Sequence, residues 1–222
     1  MRNGLKAVVF DMDGIIFDSE RLVIDCWKVV AEKYAIPGIE AACNECLGVN
    51  SVETREKFLS RYGQDFPYDE YKNEMSKIYH DNYDGGRLPM KIGVVELLKY
   101  LKETDVKVAL ASSTRTEVVV QQLKDAGILE YFRVIVGGDM VTRSKPQPDI
   151  FLKACEELGV APQESFAIED SYNGIRAAAA GHLRPLMVPD LMPPTSEMQD
   201  LSEGIFDTLL EVKGYLKEIL NV

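Results

Sequence analysis

Two carboxylates one residue apart, Asp11 and Asp13, close the short apolar run Ala7-Val8-Val9-Phe10 and are followed at once by Gly14. The run reads as a strand buried on both faces. In open α/β sheets the crevice beyond the carboxyl ends of the strands is where ligands bind, so both acids stand where chemistry is expected. Their i, i+2 spacing lets both reach one side while Met12 turns into the core, and Gly14 permits a sharp bend. A calcium loop opens in a similar way. That pattern would need an Asp or Asn at Ile15 and a Glu at Leu22, and the sequence has neither. Neighbouring acids can divide acid and base duties, because proximity and burial push their pKa values apart.

Two further predicted strands end in polar groups. Val106 to Ala111 leads into Ser112-Ser113-Thr114, and Ser165 to Ile168 leads into Glu169-Asp170. Lys145 sits in Ser144-Lys145-Pro146-Gln147-Pro148-Asp149-Ile150-Phe151, just before a predicted helix. Each has a plainer reading. Serines cap helices, lysines are mostly solvated, and Glu169-Asp170 could simply cap the alanine-rich helix that follows. Thr114 is expected to cap the helix after Ser112 while Ser112 stays free.

The elements that must position these groups alternate. Apolar positions Leu22, Cys26, Val29, Val30 and Tyr34 recur at helical spacing up to Pro37-Gly38. Val52, Leu59 and Tyr62 predict a second helix, and Tyr68, Tyr71, Met75, Ile78 and Tyr79 a third, with Gly63 and Pro67 between them. No strand is expected from Pro37-Gly38 to about Asp84, and Gly85-Gly86 marks a return. Helices through Val94 to Leu101, Glu117 to Ala126, a stretch ending at Leu158-Gly159, and Ala177 to Ala180 then alternate with strands at 106–111, 134–136, 165–168 and 185–188. Counting Ala7 to Phe10 there are five predicted strands. The expected fold is therefore α/β, a doubly wound parallel sheet with right-handed crossovers and an inserted all-helical unit. The core would comprise residues 1–17 and 85–222, and the insert 18–84.

The stretch Val9-Phe10-Asp11-Met12-Asp13-Gly14-Ile15-Ile16-Phe17-Asp18-Ser19-Glu20 resembles the first motif of the haloacid dehalogenase superfamily, in the form carried by its β-phosphoglucomutase-like phosphatases. Leu110-Ala111-Ser112-Ser113-Thr114 is similar to the second motif, the Lys145-Pro146-Gln147-Pro148 segment to the third, and Glu169-Asp170-Ser171-Tyr172-Asn173-Gly174 to the fourth. The resemblance spans nearly the whole chain and implies a Rossmann-like core with a helical cap.

It also implies roles. Asp11 would be the nucleophile, forming an aspartyl phosphate, and Asp13 the acid that protonates the leaving alcohol and later activates water. Ser112 and the Ser113 amide would bind phosphate oxygens, and Lys145 would neutralise charge on the nucleophile and the moving group. The crowded acids call for a cation, and Mg²⁺ is the natural choice. By resemblance Asp11, Asp170 and the Asp13 carbonyl are its ligands, with Glu169 binding directly or through water. Arg115 is a candidate substrate contact on the loop after the second strand. Arg55, Lys72 and Lys77 could face the cleft but suit a solvated helix face equally well.

The expected activity is Mg²⁺-dependent hydrolysis of a small phosphorylated metabolite, a sugar phosphate or nucleoside monophosphate. A phosphomutase is the nearest rival, and a binding protein that kept the fold but lost the chemistry is a third reading. Against the mutase, Arg21-Leu22-Val23-Ile24 has no histidine where β-phosphoglucomutase carries one, and Gly48-Val49 is followed by Asn50-Ser51 rather than by an arginine. Against the binding protein, Asp11, Asp13, Ser112, Lys145 and Asp170 are all present.

Composition narrows the rest. With 36 acidic against 25 basic residues, a net charge of −11 and no basic run, the chain is poorly suited to nucleic acid or anionic membranes. No apolar run approaches a membrane span and no signal segment is evident, so a cytoplasmic protein is expected, with a monomer as the default state. Cys43 and Cys46 form a CxxC, but Cys26 and Cys155 are isolated, and all four read as ordinary thiols.

Overall fold

The structure, a computed structural model, describes residues 4–47, 49 and 51–220. Its centre is a six-stranded sheet of β1 (Ala7–Phe10), β2 (Lys107–Ser112), β3 (Val134–Gly137), β4 (Ser165–Glu169), β5 (Arg184–Met187) and β6 (Gly204–Ile205). All pairings are parallel and the order is β3-β2-β1-β4-β5-β6. The order reverses beside β1, which pairs with β2 on one side and β4 on the other, so β1 ends at the topological switch point.

Five helices separate β1 from β2 in the chain, and the first four are α1 (Ser19–Tyr34), α2 (Ile39–Asn44), α3 (Ser51–Tyr62) and α4 (Tyr68–Tyr83). The rest flank the sheet: α5 (Val94–Lys102), α6 (Thr116–Asp125), α7 (Asp149–Leu158), α8 (Tyr172–Ala180), α9 (Ser196–Leu201) and α10 (Leu209–Leu220). Alternation along β1 explains the two layers. Val8 and Phe10 join Leu97, Leu101, Leu123 and Leu216 in one cluster, under α5, α6 and α10. Ala7 and Val9 face the other way with Ala109, Ala111 and Ala167, and these small side chains let α7 and α8 lie close to the sheet. Both faces are buried, which is why β1 reads as an unbroken apolar run. Fully burying a side chain such as Phe10 stabilises the fold by roughly 1.5–3 kcal/mol.

Helices α1 to α4 have an apolar cluster of their own around Trp27, Val30, Phe58, Tyr68 and Met75. Trp27 lies 4.9 Å from Phe58 and 6.1 Å from Tyr68, centre to centre, and Tyr34 stacks on Tyr71 at 4.3 Å. The chain enters and leaves this unit side by side: the Asp18 amide donates to the Pro89 carbonyl and the Lys91 amide to that of Ile16. Gly85 and Gly86 both have positive φ, and a Cβ on Gly86 would meet the Asp125 carbonyl at 2.8 Å, so the return signal is a real steric requirement.

The sheet has one strand more than the five predicted. β6 is two residues long, too short to leave a periodic trace, and the six-residue helices α2 and α9 were missed for the same reason. The twelve-residue α10 was also not predicted. β2 extends to Ser112, which pairs with Gly137, where the sequence pattern stopped at Ala111.

Candidate active site

β1, β2 and β4 end together, and their terminal residues converge. The Asp11 amide still donates to the Ile168 carbonyl at 3.0 Å, which fixes the start of the loop. Met12 turns into the core as expected, and Gly14, at φ 77°, allows the chain to fold back so that its amide meets the Phe17 carbonyl. A Cβ on Gly14 would lie 2.4 Å from Asp170 Oδ2, so only glycine leaves room for that carboxylate.

Lys145 organises the centre. Its Nζ donates to Asp11 Oδ1 at 2.6 Å and to Glu169 Oε1 at 2.5 Å, and sits 5.1 Å from the centre of the Phe151 ring. Burial opposes its charge, but the Asp11 and Glu169 carboxylates outweigh that and hold its pKa above the ordinary lysine value. For Asp11, burial is the largest influence. It outweighs the attraction of Lys145 and, with Glu169 and Asp13 adding negative charge, pushes the carboxyl up to about 7. The second oxygen of Glu169, Oε2, accepts from the amides of Asp170 and Ser171 and from the Ser171 hydroxyl, each at 3.0 Å. Ser171, not Glu169-Asp170, caps α8, its hydroxyl accepting from the Gly174 amide.

Asp13 is held at both oxygens. The Ser19 hydroxyl, at the start of α1, donates to Oδ1 at 2.6 Å, and the Thr114 hydroxyl approaches Oδ2 at 3.3 Å. Thr114 therefore does not cap the following helix. That helix begins at Thr116, whose amide and hydroxyl both donate to Asp139 from the loop after β3. Ser112 is fully buried, and its hydroxyl oxygen accepts from the Thr114 amide at 3.1 Å, leaving its proton to donate.

Carboxylate oxygens of Asp11, Glu169 and Asp170 lie within 4.8 Å of one another, and burial first, then neighbouring acids, holds the Asp170 pKa well above the carboxylate range. This convergence of hard carboxylate oxygens, with the Asp170 carboxylate lodged against Gly14, fits a small divalent cation. Glu20, Asp170 and Asp190 form a second such group. Glu20 is pushed up to about 8, by burial first and then by the charges of Asp190, Asp13, Asp11 and Glu169.

A cavity of about 740 Å³ lies over these groups, between the loops of the sheet and helices α1 to α4. Asp11, Asp13, Ser113, Lys145 and Asp170 line it from the core, and Val23, Trp27, Phe58, Met75, Tyr79 and Lys72 from the helical side. Arg115 is exposed as the residue before α6 and does not line it. Arg55 pairs with Asp69, and Lys77 is not part of the wall. Cys43 and Cys46 reach the cavity as free thiols whose pKa values burial raises. Of the Gly48-Val49-Asn50-Ser51 loop, Gly48 and Asn50 lie outside the described residues.

Sequence reasoning assigned no role to Ser19, Glu20 or Asp190. The first two stand inside the quoted first motif. Asp190 follows β5, so extending the strand-end argument to the fifth strand would have found it.

Residues 8–188 match the haloacid dehalogenase-like hydrolase family. The chain belongs to that family. A phosphorylated carbohydrates phosphatase of Thermotoga maritima is 32% identical over 187 residues, 78% of this chain and 80% of the relative. The β-phosphoglucomutase of Bacillus subtilis is 32% identical over 204 residues, covering 85% and 88%. The solved structure of CbbY from Rhodobacter sphaeroides with xylulose-(1,5)bisphosphate superposes with a TM-score of 0.75 at 25% identity, covering 93% of this hydrolase and 96% of that chain. Among the described residues, no helix is long and apolar enough to cross a membrane.

Proposed function

We propose that this hydrolase cleaves small phosphate monoesters by way of an aspartyl phosphate on Asp11. The observation that carries the reading is the Lys145 bridge: a buried ammonium holds one oxygen of Asp11 and locks Glu169 beside it, on the core side of the cavity. Asp11 forms a bond to phosphorus as the ester P–O bond breaks, and the departing alkoxide takes a proton from Asp13. Water then attacks the same phosphorus, giving its proton back to Asp13, and inorganic phosphate leaves with Asp11 restored. The Ser19 and Thr114 hydroxyls orient Asp13 for both transfers. Ser112 and the Ser113 amide take phosphate oxygens.

Asp11 and Asp170, with the Asp13 carbonyl, would hold Mg²⁺, which when bound offsets the charge of the transferring group. Glu169 already accepts from four donors, so it suits a ligand water better than the ion itself. Residues 18–84 act as a cap that excludes water and sorts substrates. The phosphatase of phosphorylated carbohydrates among the relatives supports a sugar phosphate, and a nucleoside monophosphate fits the largely apolar cap wall. A relative named β-phosphoglucomutase keeps a mutase in view. Here, however, Val23 and Ile24 of α1 present an apolar face to the cavity where the mutase carries its histidine, and His80 of α4, which also lines the cavity, is engaged by Asp84.

Purified protein with Mg²⁺ and a panel of phosphorylated metabolites should release inorganic phosphate in step with free alcohol, without a bisphosphate primer. Conversion of glucose 1-phosphate to glucose 6-phosphate with little free phosphate, and only after priming, would establish the mutase instead.

A further inference from the structure

Glu20 opens α1 in the helical unit, whereas Asp170 and Asp190 belong to the core. An oxygen from each lies within 4.8 Å of the others, and Asp170 is also a member of the Asp11–Glu169–Asp170 group. The carboxylates differ in what neutralises them. Asp11 and Glu169 share Lys145, and Glu169 takes three more donors. Among the described residues neither Glu20 nor the Asp170 carboxylate has a hydrogen-bond donor or an ion-pair partner. Asp190 has a side chain only 3% exposed. Lys91 holds its Oδ1 at 2.5 Å, while Oδ2 is buried without a partner. A buried acceptor left in this way is costly unless a ligand satisfies it.

We infer that Glu20 and Asp190 extend the cation site of Asp11 and Asp170, so that a bound divalent cation ties the first turn of α1 to the core and draws the helical unit closed. This rests on the reading that a cation occupies the Asp11–Asp170 site. Glu20 acts as a positioning residue: it touches the ion's surroundings, not the reacting atoms. Its neighbour Ser19 bonds Asp13, so the turn that answers to the cation also carries the hydroxyl that sets the acid. Linkage then runs both ways, and closing the helical unit must tighten cation binding by the same factor that the cation favours closure.

Trp27 is the only tryptophan, lies on α1 and lines the cavity, so it reports on this movement. The full chain, without substrate, is titrated with Mg²⁺ and followed by calorimetry and by Trp27 emission. Wild type should show a saturable emission change with the calorimetric midpoint. Glu20→Gln should bind Mg²⁺ about 10- to 100-fold more weakly, as is typical for outer partners of a metal site, and lose most of the emission change. Glu40→Gln, an exposed acid of the same unit, should behave as wild type. Melting guards against a folding artefact, because Glu20→Gln relieves repulsion and should melt no lower than wild type in chelator, yet gain less from Mg²⁺. Equal Mg²⁺ affinity and emission change in Glu20→Gln and wild type would overturn this inference alone. Absence of any Mg²⁺ binding by wild type would overturn the cation reading beneath it as well.

Discussion

Replacing Lys145 with methionine keeps the apolar stem of the side chain and removes the ammonium that stands 2.6 Å from Asp11 Oδ1 and 2.5 Å from Glu169 Oε1. The Lys145 and Asp11 side chains are each 9% exposed and that of Glu169 is fully buried, so water replaces the lost partner poorly. Breaking a buried pair from one side costs roughly 3–5 kcal/mol, and that cost falls on charged carboxylates only. Asp11 already sits near 7 with Lys145 attracting it, and without the lysine it rises further. A carboxyl whose folded pKa exceeds its unfolded value binds its proton more tightly when folded. The penalty is therefore absent at low pH and grows as pH rises through the folded pKa. In chelator, Lys145→Met should lose roughly 3–5 kcal/mol at pH 8.5, about 6–20 °C in melting temperature for a chain of this size, and much less at pH 5.5. With Mg²⁺, turnover should fall by roughly 10²–10³, as when a preorganised donor to developing charge is lost, and the acid limb of the rate profile should move to higher pH. Calorimetric melting at the two pH values and phosphate release across pH read both effects. Equal destabilisation at pH 5.5 and pH 8.5 would refute the charge-based reasoning and leave packing as the role of Lys145.

Asp13→Asn should cost roughly 10²–10⁴ in turnover of alkyl phosphates but far less with an aryl phosphate, whose leaving group needs no proton, and comparing the two substrates checks it. Gly14→Ala places a Cβ 2.4 Å from Asp170 Oδ2 at a positive φ, so Mg²⁺ affinity should drop sharply, measured by calorimetry, together with a lowered melting temperature. Because the metal-free carboxyls of Asp11 and Asp170 are held above the ordinary range, Mg²⁺ binding should release protons and tighten as pH rises from 6 toward 8. Calorimetry in buffers of different ionisation enthalpy counts those protons.

The alternation of strands and helices, the apolar runs of β1 and β2, and the strand-end groups Asp11, Asp13, Glu169 and Asp170 were legible because periodicity and strand polarity are local properties of the chain, and Lys145 was legible from its motif alone. What was not legible depends on distant partners. Thr114 looked like a helix cap, yet Asp139 caps α6 from the next strand's loop and frees Thr114 for Asp13. Glu20 had no role of its own in the sequence until the fold set it beside Asp170 and Asp190. Lys72 could be placed in the cavity wall, and Arg55 and Lys77 outside it, only once α3 and α4 had packed. The two-residue β6 has no pattern of its own and exists because β5 offers an edge to pair with.

The covalent step on Asp11 is tested most directly by trapping it. Wild-type protein turning over a monoester with Mg²⁺ is quenched in acid, reduced with borohydride and digested, and the peptide spanning Asp11 is examined by mass spectrometry. An aspartyl phosphate reduces to homoserine, so homoserine should appear at position 11 in wild type, grow with substrate, and be absent in the folded but inactive Asp11→Asn. Steady phosphate release with no modified Asp11 peptide, and inversion rather than retention of configuration at phosphorus, would show that water attacks the ester directly.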